Sequence, residues 1–143
     1  MQLTLSPLRK TWIFDFDGTL VEHNGYKTGQ DRLLPGVREF LARIPADDYI
    51  MILTAREREA AEKTESFLED EGIRYDQIFY EMPMGERILF NDSKPSGLKM
   101  CYSVERQRNQ GFCDIGFAVD PNSVSRNLCW SCKCPVYGTL NQA

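Results

Sequence analysis

The sequence predicts an α/β fold built on a doubly wound parallel sheet, in three layers with helices on both faces. Three features of the chain support this prediction. Short apolar runs alternate with segments of helical periodicity, the apolar runs are continuous rather than alternating, and polar clusters follow several of them. Continuous runs are typical of strands that are buried on both faces of a parallel sheet. Their alternation with helices is typical of doubly wound sheets.

The first half of the chain supplies two of the expected strands. Residues 11–14 form the first, and a polar loop over residues 21–34 follows it. A helix comes next, because apolar side chains recur at helical spacing: Val37, Phe40, Leu41 and Ile44. Pro45 ends this helix, since proline lacks the N–H that would continue it. Residues 49–53 form the second strand.

The second half supplies the remaining elements. A helix over residues 57–71 ends at Gly72, which we expect to adopt the left-handed conformation of a C-cap. A second helix is expected over residues 98–108. Three further strands are expected at residues 77–80, 88–90 and 116–120.

Length and composition indicate a globular protein with a single core. The chain has 143 residues, which we divide into a catalytic domain of residues 1–120 and a C-terminal extension of residues 121–143. No apolar run approaches the ~18 residues of a membrane span, and the first ten residues lack the apolar segment of a signal peptide. We therefore expect a cytoplasmic protein without a membrane partner.

The net charge of −4 disfavours non-specific binding to nucleic acid, which depends on clustered Lys and Arg. We therefore expect a small substrate, with a local basic groove for nucleic acid as an open alternative. Five cysteines are present, and three of them are crowded in the extension at Cys129, Cys132 and Cys134. We expect free thiols there, as is usual in a reducing cytoplasm, and zinc ligation is the alternative.

Two carboxylates end the first strand. Asp15 and Asp17 are spaced i, i+2, so in an extended chain they share a face, and Gly18 then lets the backbone turn. Like charges this close raise each other's pKa unless a cation neutralises them or one keeps its proton. A bound Mg²⁺ at Asp15 and a protonated Asp17 acting as general acid would satisfy both conditions. An acidic loop without catalytic function is the alternative.

Further polar clusters follow other strands at the same kind of position. Thr54 and Arg56 come directly after the second strand, and Asp92 and Lys94 come after the expected strand at residues 88–90. In open α/β sheets, ligands bind outside the carboxyl ends of the strands. Because each of these polar clusters follows an expected strand, together they predict an active site at that edge of the sheet.

These motifs, in this order, resemble those of the haloacid dehalogenase (HAD) superfamily. The resemblance covers residues 11–120 and rests on Asp15-Phe16-Asp17-Gly18-Thr19-Leu20, Leu53-Thr54 and Asn91-Asp92. It implies a Rossmann-like core. The loop at residues 21–34 is too short for a cap domain, and the segment between Thr54 and Asp92 leaves no room for one. We therefore expect a cap-less enzyme, whose open site in this superfamily often accompanies large substrates or a partner subunit, so a homo-oligomer is an open alternative.

The resemblance also implies roles for individual residues. Asp15 would be the nucleophile that forms an aspartyl-phosphate, and Asp17 would act as general acid and then as general base. Thr54 would hydrogen-bond the phosphoryl group, as would the turn at Gly18 and Thr19.

The metal ligands are implied in the same way. Mg²⁺ would be held by the Asp15 carboxylate, the Asp17 backbone carbonyl and Asp92. Because the second carboxylate of the pair is present, the resemblance favours a phosphatase over a dehalogenase or a transport ATPase.

A basic side chain is also required, because the carboxylates would otherwise repel a phosphate. The commonest family pattern has a Lys before the fourth motif, but residues 75–90 contain none. We assign the role to Lys94, with Lys99 and Arg87 as alternatives. Arg56 is assigned as a second phosphate ligand, because Thr-x-Arg resembles the second motif of polynucleotide phosphatases in this superfamily. A solvated residue at the start of a helix is the alternative for Arg56.

The sequence therefore predicts a Mg²⁺-dependent phosphatase that acts on a phosphomonoester. Residues 85–95 also resemble small HAD-type hydrolases of bacterial surface-polysaccharide pathways, which favours a sugar phosphate as substrate. A nucleotide or polynucleotide 3′-phosphatase is the second prediction. A non-catalytic module that binds a phosphorylated partner or regulates one is the third.

Overall fold

The computed structural model describes residues 1–124. Within this range the chain forms, in order, β1 (Gln2–Leu5), β2 (Thr11–Asp15), α1 (Gly25–Thr28), α2 (Val37–Ala42), β3 (Tyr49–Leu53), α3 (Ala61–Asp70), β4 (Gln77–Phe79) and β5 (Gly116–Val119). A single 3-10 turn, Arg58–Ala60, leads into α3. The predictions for Cys129, Cys132 and Cys134 fall outside the described residues.

The strands form two parallel sheets. In the first sheet β3 lies between β2 and β4, and the register places Asp15 opposite Leu53 and Leu53 opposite Phe79. In the second sheet β1 pairs with β5. The α/β class with parallel strands is therefore confirmed. The described residues form two sheets of three and two strands, so they do not by themselves confirm one continuous, doubly wound sheet in three layers.

The middle strand of the larger sheet has the burial expected from its apolar sequence. Ile50 and Ile52 of β3 are almost fully buried, and so are Phe16 after β2 and Leu68 of α3. Burying a side chain of this size contributes about 1.5–3 kcal/mol each to the free energy of folding. The larger sheet therefore provides a rigid frame for the residues that follow its strands.

An aromatic cluster joins the two sheets through α2. Trp12 of β2 contacts Phe117 of β5, with ring centroids 4.9 Å apart. Phe40 of α2 packs edge-on against Phe112 at 5.0 Å and against Phe117 at 5.3 Å. Such pairs contribute about 0.5–1.5 kcal/mol each beyond the area that they bury.

The helices predicted from residue 37 and over residues 57–71 form at these positions and are shorter than expected, whereas α1 lies within the predicted loop of residues 21–34. The predicted helix over residues 57–71 appears as the 3-10 turn followed by α3, and Gly72 has the left-handed φ of 66° expected of its C-cap. The helix at residue 37 ends at Ala42, although Ile44 beyond it is still buried. No helix in the described part of the chain is long and apolar enough to cross a lipid bilayer.

Two predicted elements do not form: the strand at residues 88–90 and the helix at residues 98–108. Local hydrogen bonds fold the first of these segments differently. The Arg87 guanidinium donates to the carbonyls of Pro83 and Gly85 at 2.7 and 2.9 Å. The Asn91 side-chain amide donates to the carbonyl of Met100 at 2.9 Å. The apolar run between them is left exposed, and it is too short to persist as a strand without a paired neighbour.

We expect Gly36→Ala to destabilise the protein more than Gly72→Ala. Both glycines have a left-handed φ, 79° and 66°, so a Cβ costs about 1–2 kcal/mol at either position. At Gly36 the Cβ would also lie 2.7 Å from the amide nitrogen of Cys113, whereas nothing lies within 4 Å at Gly72. Relieving that overlap adds about 1–3 kcal/mol. Urea denaturation measures the difference, and equal midpoints for the two variants would contradict the close approach at Gly36.

Candidate active site

The turn that follows β2 places two carboxylates at the edge of the larger sheet. Asp15 is the last residue of β2, and the chain then folds back on itself around the Phe16 carbonyl, which accepts from the Leu20 amide at 2.8 Å. Gly18 has a φ of 86°, which favours glycine, and its N–H donates to the Val21 carbonyl at 2.7 Å. The Thr19 N–H donates within the same turn to Phe16, at 3.2 Å. The backbone donors at Gly18 and Thr19, predicted to bind phosphate, are thus engaged in the turn.

Asp15 is the accessible carboxylate of the pair. Its Oδ2 accepts from the Thr19 hydroxyl at 3.0 Å, and its Oδ1 lies 3.8 Å from Nη2 of Arg87. The side chain keeps 45% of its exposure, so a ligand can reach it. Partial burial nevertheless raises the pKa of the Asp15 carboxyl above its ordinary value. The Thr19 hydrogen bond and the charge of Arg87 lower this pKa, and the charge of Asp17 raises it.

Asp17 is held by a cation. The Arg56 guanidinium donates through Nε to Oδ2 at 2.9 Å and through Nη2 to Oδ1 at 2.8 Å. The Thr54 hydroxyl lies 3.4 Å from Oδ2 and accepts from the Arg56 amide at 3.1 Å. Both carboxylate oxygens of Asp17 therefore accept from Arg56. The role of Asp17 as general acid stays a prediction of the sequence. Thr54 stands at the end of β3 as expected, beside Asp17.

Arg56 is buried, with only 2% of its surface exposed. On the side away from Asp17 it donates to Asp31, from Nη1 at 2.7 Å and from Nη2 at 2.6 Å, and Nη1 also donates to Thr64 at 3.0 Å. The rings of Tyr26 and Phe16 lie 4.1 and 4.6 Å from the guanidinium carbon. Burial lowers the pKa of Arg56, but the two carboxylates outweigh it and raise that pKa above its ordinary value.

These contacts engage the full donor set of Arg56. A guanidinium carries five N–H donors, and the contacts of Arg56 with Asp17, Asp31 and Thr64 occupy one at Nε, two at Nη1 and two at Nη2. In this arrangement Arg56 is an internal ion-pair residue. Its role as a phosphate ligand stays a prediction of the sequence.

The three basic candidates occupy different places. Arg87 is the one that approaches Asp15. Lys94 lies 3.4 Å from Oδ2 of Asp92, and both side chains are substantially exposed. Lys99 lies over the ring of Tyr102, 4.4 Å from its centroid. The structure therefore brings Arg87 to the nucleophile and pairs Lys94 with Asp92.

The ligands expected to hold Mg²⁺ do not form a set in this arrangement. No group of three or more His, Cys, Asp or Glu side chains that could hold a metal ion occurs within residues 1–124. The Asp17 carboxylate is occupied by Arg56, and Asp92 is paired with Lys94. Of the two carboxylates expected to bind Mg²⁺, Asp15 has its Oδ1 3.8 Å from Arg87, and among the described residues Asp92 accepts at Oδ2 only, from Lys94.

Sequence reasoning missed two residues that shape the site. Asp31 lies in a polar loop with no periodicity to mark it, 25 residues before its partner Arg56. Asn109 donates its N–H to the Gly18 carbonyl at 2.8 Å and accepts from the His23 amide at 2.8 Å. Its φ of 64° fits the tolerance of Asn for the left-handed region. The Asn-Gln-Gly stretch at residues 109–111 is a turn signal, but nothing in it points to Gly18.

Comparisons of the chain with protein-family models, with curated proteins and with solved structures found no match. The geometry around Asp15 is therefore what points to a function.

Proposed function

We propose that the protein is a HAD-type phosphatase that hydrolyses a phosphomonoester through an aspartyl-phosphate on Asp15. One observation supports this most directly. At the carboxyl end of β2, Asp15 presents a half-exposed carboxylate that Thr19 holds from one side and a cation approaches from the other. A nucleophile for phosphoryl transfer needs this combination of fixed orientation, access and nearby positive charge.

The reaction proceeds in two displacements. The Oδ1 atom of Asp15 attacks phosphorus, the bond to the leaving oxygen breaks, and the phosphoryl group becomes an acyl phosphate. Water then attacks the same phosphorus, which releases inorganic phosphate and regenerates the carboxylate. The Thr19 hydroxyl on Oδ2 leaves Oδ1 as the attacking atom.

Proton transfer is assigned to Asp17. It would give a proton to the leaving oxygen in the first displacement and take one from water in the second. Its place two residues beyond Asp15, on the same turn, supports this assignment. Because Arg56 and Thr54 hold Asp17, its carboxyl stays in one orientation with respect to the nucleophile.

Arg87 is the residue that we propose as the cation for the substrate phosphate. A phosphate dianion needs charge-assisted donors, and Arg87 is already beside Asp15. The sequence favoured Lys94 for this role, with Arg87 as an alternative. The pairing of Lys94 with Asp92 makes Arg87 the better candidate.

We also propose Mg²⁺ as the cofactor and a doubly wound sheet as the fold. Both would require residues 87–94 to adopt a second arrangement. β2 is the edge strand of the larger sheet, and the run Ile88, Leu89, Phe90 exposes apolar side chains, with Phe90 at 90%. Pairing of this run with β2 would bury it, extend the sheet and bring Asp92 to the edge that holds Asp15. Asp15, the Asp17 carbonyl and Asp92 would then be the protein ligands of Mg²⁺.

A sugar phosphate is the substrate class that we prefer, on the resemblance of residues 85–95. The alternative is a nucleotide or polynucleotide 3′-phosphatase, which the open site and residues 54–56 suggest. The donors of Arg56 are engaged within the protein, which makes this alternative the second choice. A panel of sugar phosphates, nucleotides and 3′-phosphorylated oligonucleotides separates these substrates.

Asp15→Asn should reduce the hydrolysis of p-nitrophenyl phosphate by at least about 10³-fold, because the nucleophile is lost. Asp47→Asn is the control, since Asp47 is an exposed aspartate on a surface ion pair with Arg9. Rates are measured with and without Mg²⁺, and circular dichroism verifies the fold of both variants. If Asp15→Asn and wild type turned over equally, the non-catalytic module would replace the phosphatase.

Arg87→Gln should move the acid limb of kcat/KM to higher pH. The nucleophile must be unprotonated, and Arg87 lowers the pKa of Asp15, so removing its charge raises that pKa further. Activity is then lost at a higher pH as the medium is acidified, and the change is small because the pair is exposed. Arg58→Gln is the control, because Arg58 is exposed and lies near Glu81. An acid limb that stays in place would remove Arg87 from the site.

Mg²⁺ should slow amide hydrogen exchange in residues 88–92, because pairing with β2 would protect these amides. Mass spectrometry of peptides from this region measures the effect without any turnover. Asp92→Asn should abolish the protection, and Asp120→Asn, outside the segment, should leave it intact. If Mg²⁺ did not change the exchange rates, the rearrangement would be contradicted. The role of Asp15 as nucleophile would not be affected by that result.

A further inference from the structure

The Asp31 carboxylate is buried, and both of its oxygens accept hydrogen bonds from one residue, Arg56. Asp31 lies in the loop between α1 and α2, with 8% of its surface exposed. Its two oxygens accept from Nη1 and Nη2 of Arg56 at 2.7 and 2.6 Å. A carboxylate at this depth is costly unless it is paired, so the bidentate contact compensates its desolvation.

Arg56 thereby links the loop to the catalytic turn. Its Nη1–Nη2 edge faces Asp31, while its Nε–Nη2 edge faces Asp17. The plane of the guanidinium is fixed as well, because Tyr26 of α1 and Phe16 of the turn both lie against it, at 4.1 and 4.6 Å. The orientation of Asp17 depends on this edge, and the orientation of the edge depends on Asp31.

We propose that Asp31 is a positioning residue, which orients Arg56 and, through it, the Asp17 carboxyl that transfers the proton. The proposal rests on the phosphatase function and adds a residue outside the motifs that suggested it.

A second buried carboxylate provides a matched control. Asp48 is 3% exposed and accepts from the Lys10 amide and from the indole nitrogen of Trp12, each at 2.9 Å. These contacts are at the start of β2, opposite the end that carries Asp15. Asp48 and Asp31 therefore share burial and hydrogen bonding, while only Asp31 contacts Arg56.

Kinetics of the full-length chain with p-nitrophenyl phosphate test the positioning role. Asp31→Asn should lower kcat by about 10–100-fold and change KM by less than about threefold, because misorientation affects the proton transfer and not substrate binding. Asp31→Glu keeps the charge and should recover most of kcat. Asp48→Asn should lower stability and leave kcat within about twofold of wild type. A kcat for Asp31→Asn within twofold of wild type would overturn the proposal.

A double-mutant comparison tests the linkage without activity. Arg56→Gln leaves two buried carboxylates without their cation, so adding Asp31→Asn should raise the urea midpoint above that of Arg56→Gln alone. It should also leave kcat at the level of Arg56→Gln. A lower midpoint in the double variant would refute the pairing, even if no phosphomonoester were hydrolysed. If Asp31→Asn did not fold, the double variant would decide, since a kcat well below that of Arg56→Gln would show that Asp31 does not act through Arg56 and would overturn the role.

Discussion

The buried guanidinium of Arg56 is the constraint on which the candidate site depends. It is one cation placed between two carboxylates, and its full donor set is engaged. Burying a charge is unfavourable unless partners replace its water, and here two acids, a hydroxyl and two aromatic rings do so. Since these partners come from the turn after β2, from α1, from the loop between α1 and α2 and from α3, one residue fixes four segments relative to one another.

This constraint separates the two aspartates of the motif into different environments. The Asp17 side chain accepts hydrogen bonds at both oxygens and is 17% exposed. The Asp15 side chain is 45% exposed and accepts one hydrogen bond, from Thr19. Two carboxyl groups on one turn can perform different tasks only if their surroundings differ in this way. In the phosphatase that we propose, the accessible group would attack phosphorus and the held group would transfer the proton.

The sequence predicted the larger sheet and the position of its polar residues, because continuous apolar runs identify β2 and β3 and the side chains after each strand lie at one edge. It did not predict the partners of Arg56. Asp31 is 25 residues from Arg56 in the chain, and no local sequence pattern indicates a contact over that separation. The segment at residues 88–90 failed for another reason. Its apolar composition fits a strand, but hydrogen bonds from Arg87 and Asn91 tie its flanks to Pro83, Gly85 and Met100.

The charges around the nucleophile determine what else the site requires. Asp15, Asp17 and Asp31 face Arg56 and Arg87, which leaves one net negative charge before any substrate arrives. A phosphate dianion would be repelled by that balance. One lysine would only bring the sum to zero, whereas a divalent cation would reverse its sign and attract the substrate. Mg²⁺, the cofactor that we propose, would supply such a charge, and movement of Asp92 toward Asp15 would give it a further protein ligand.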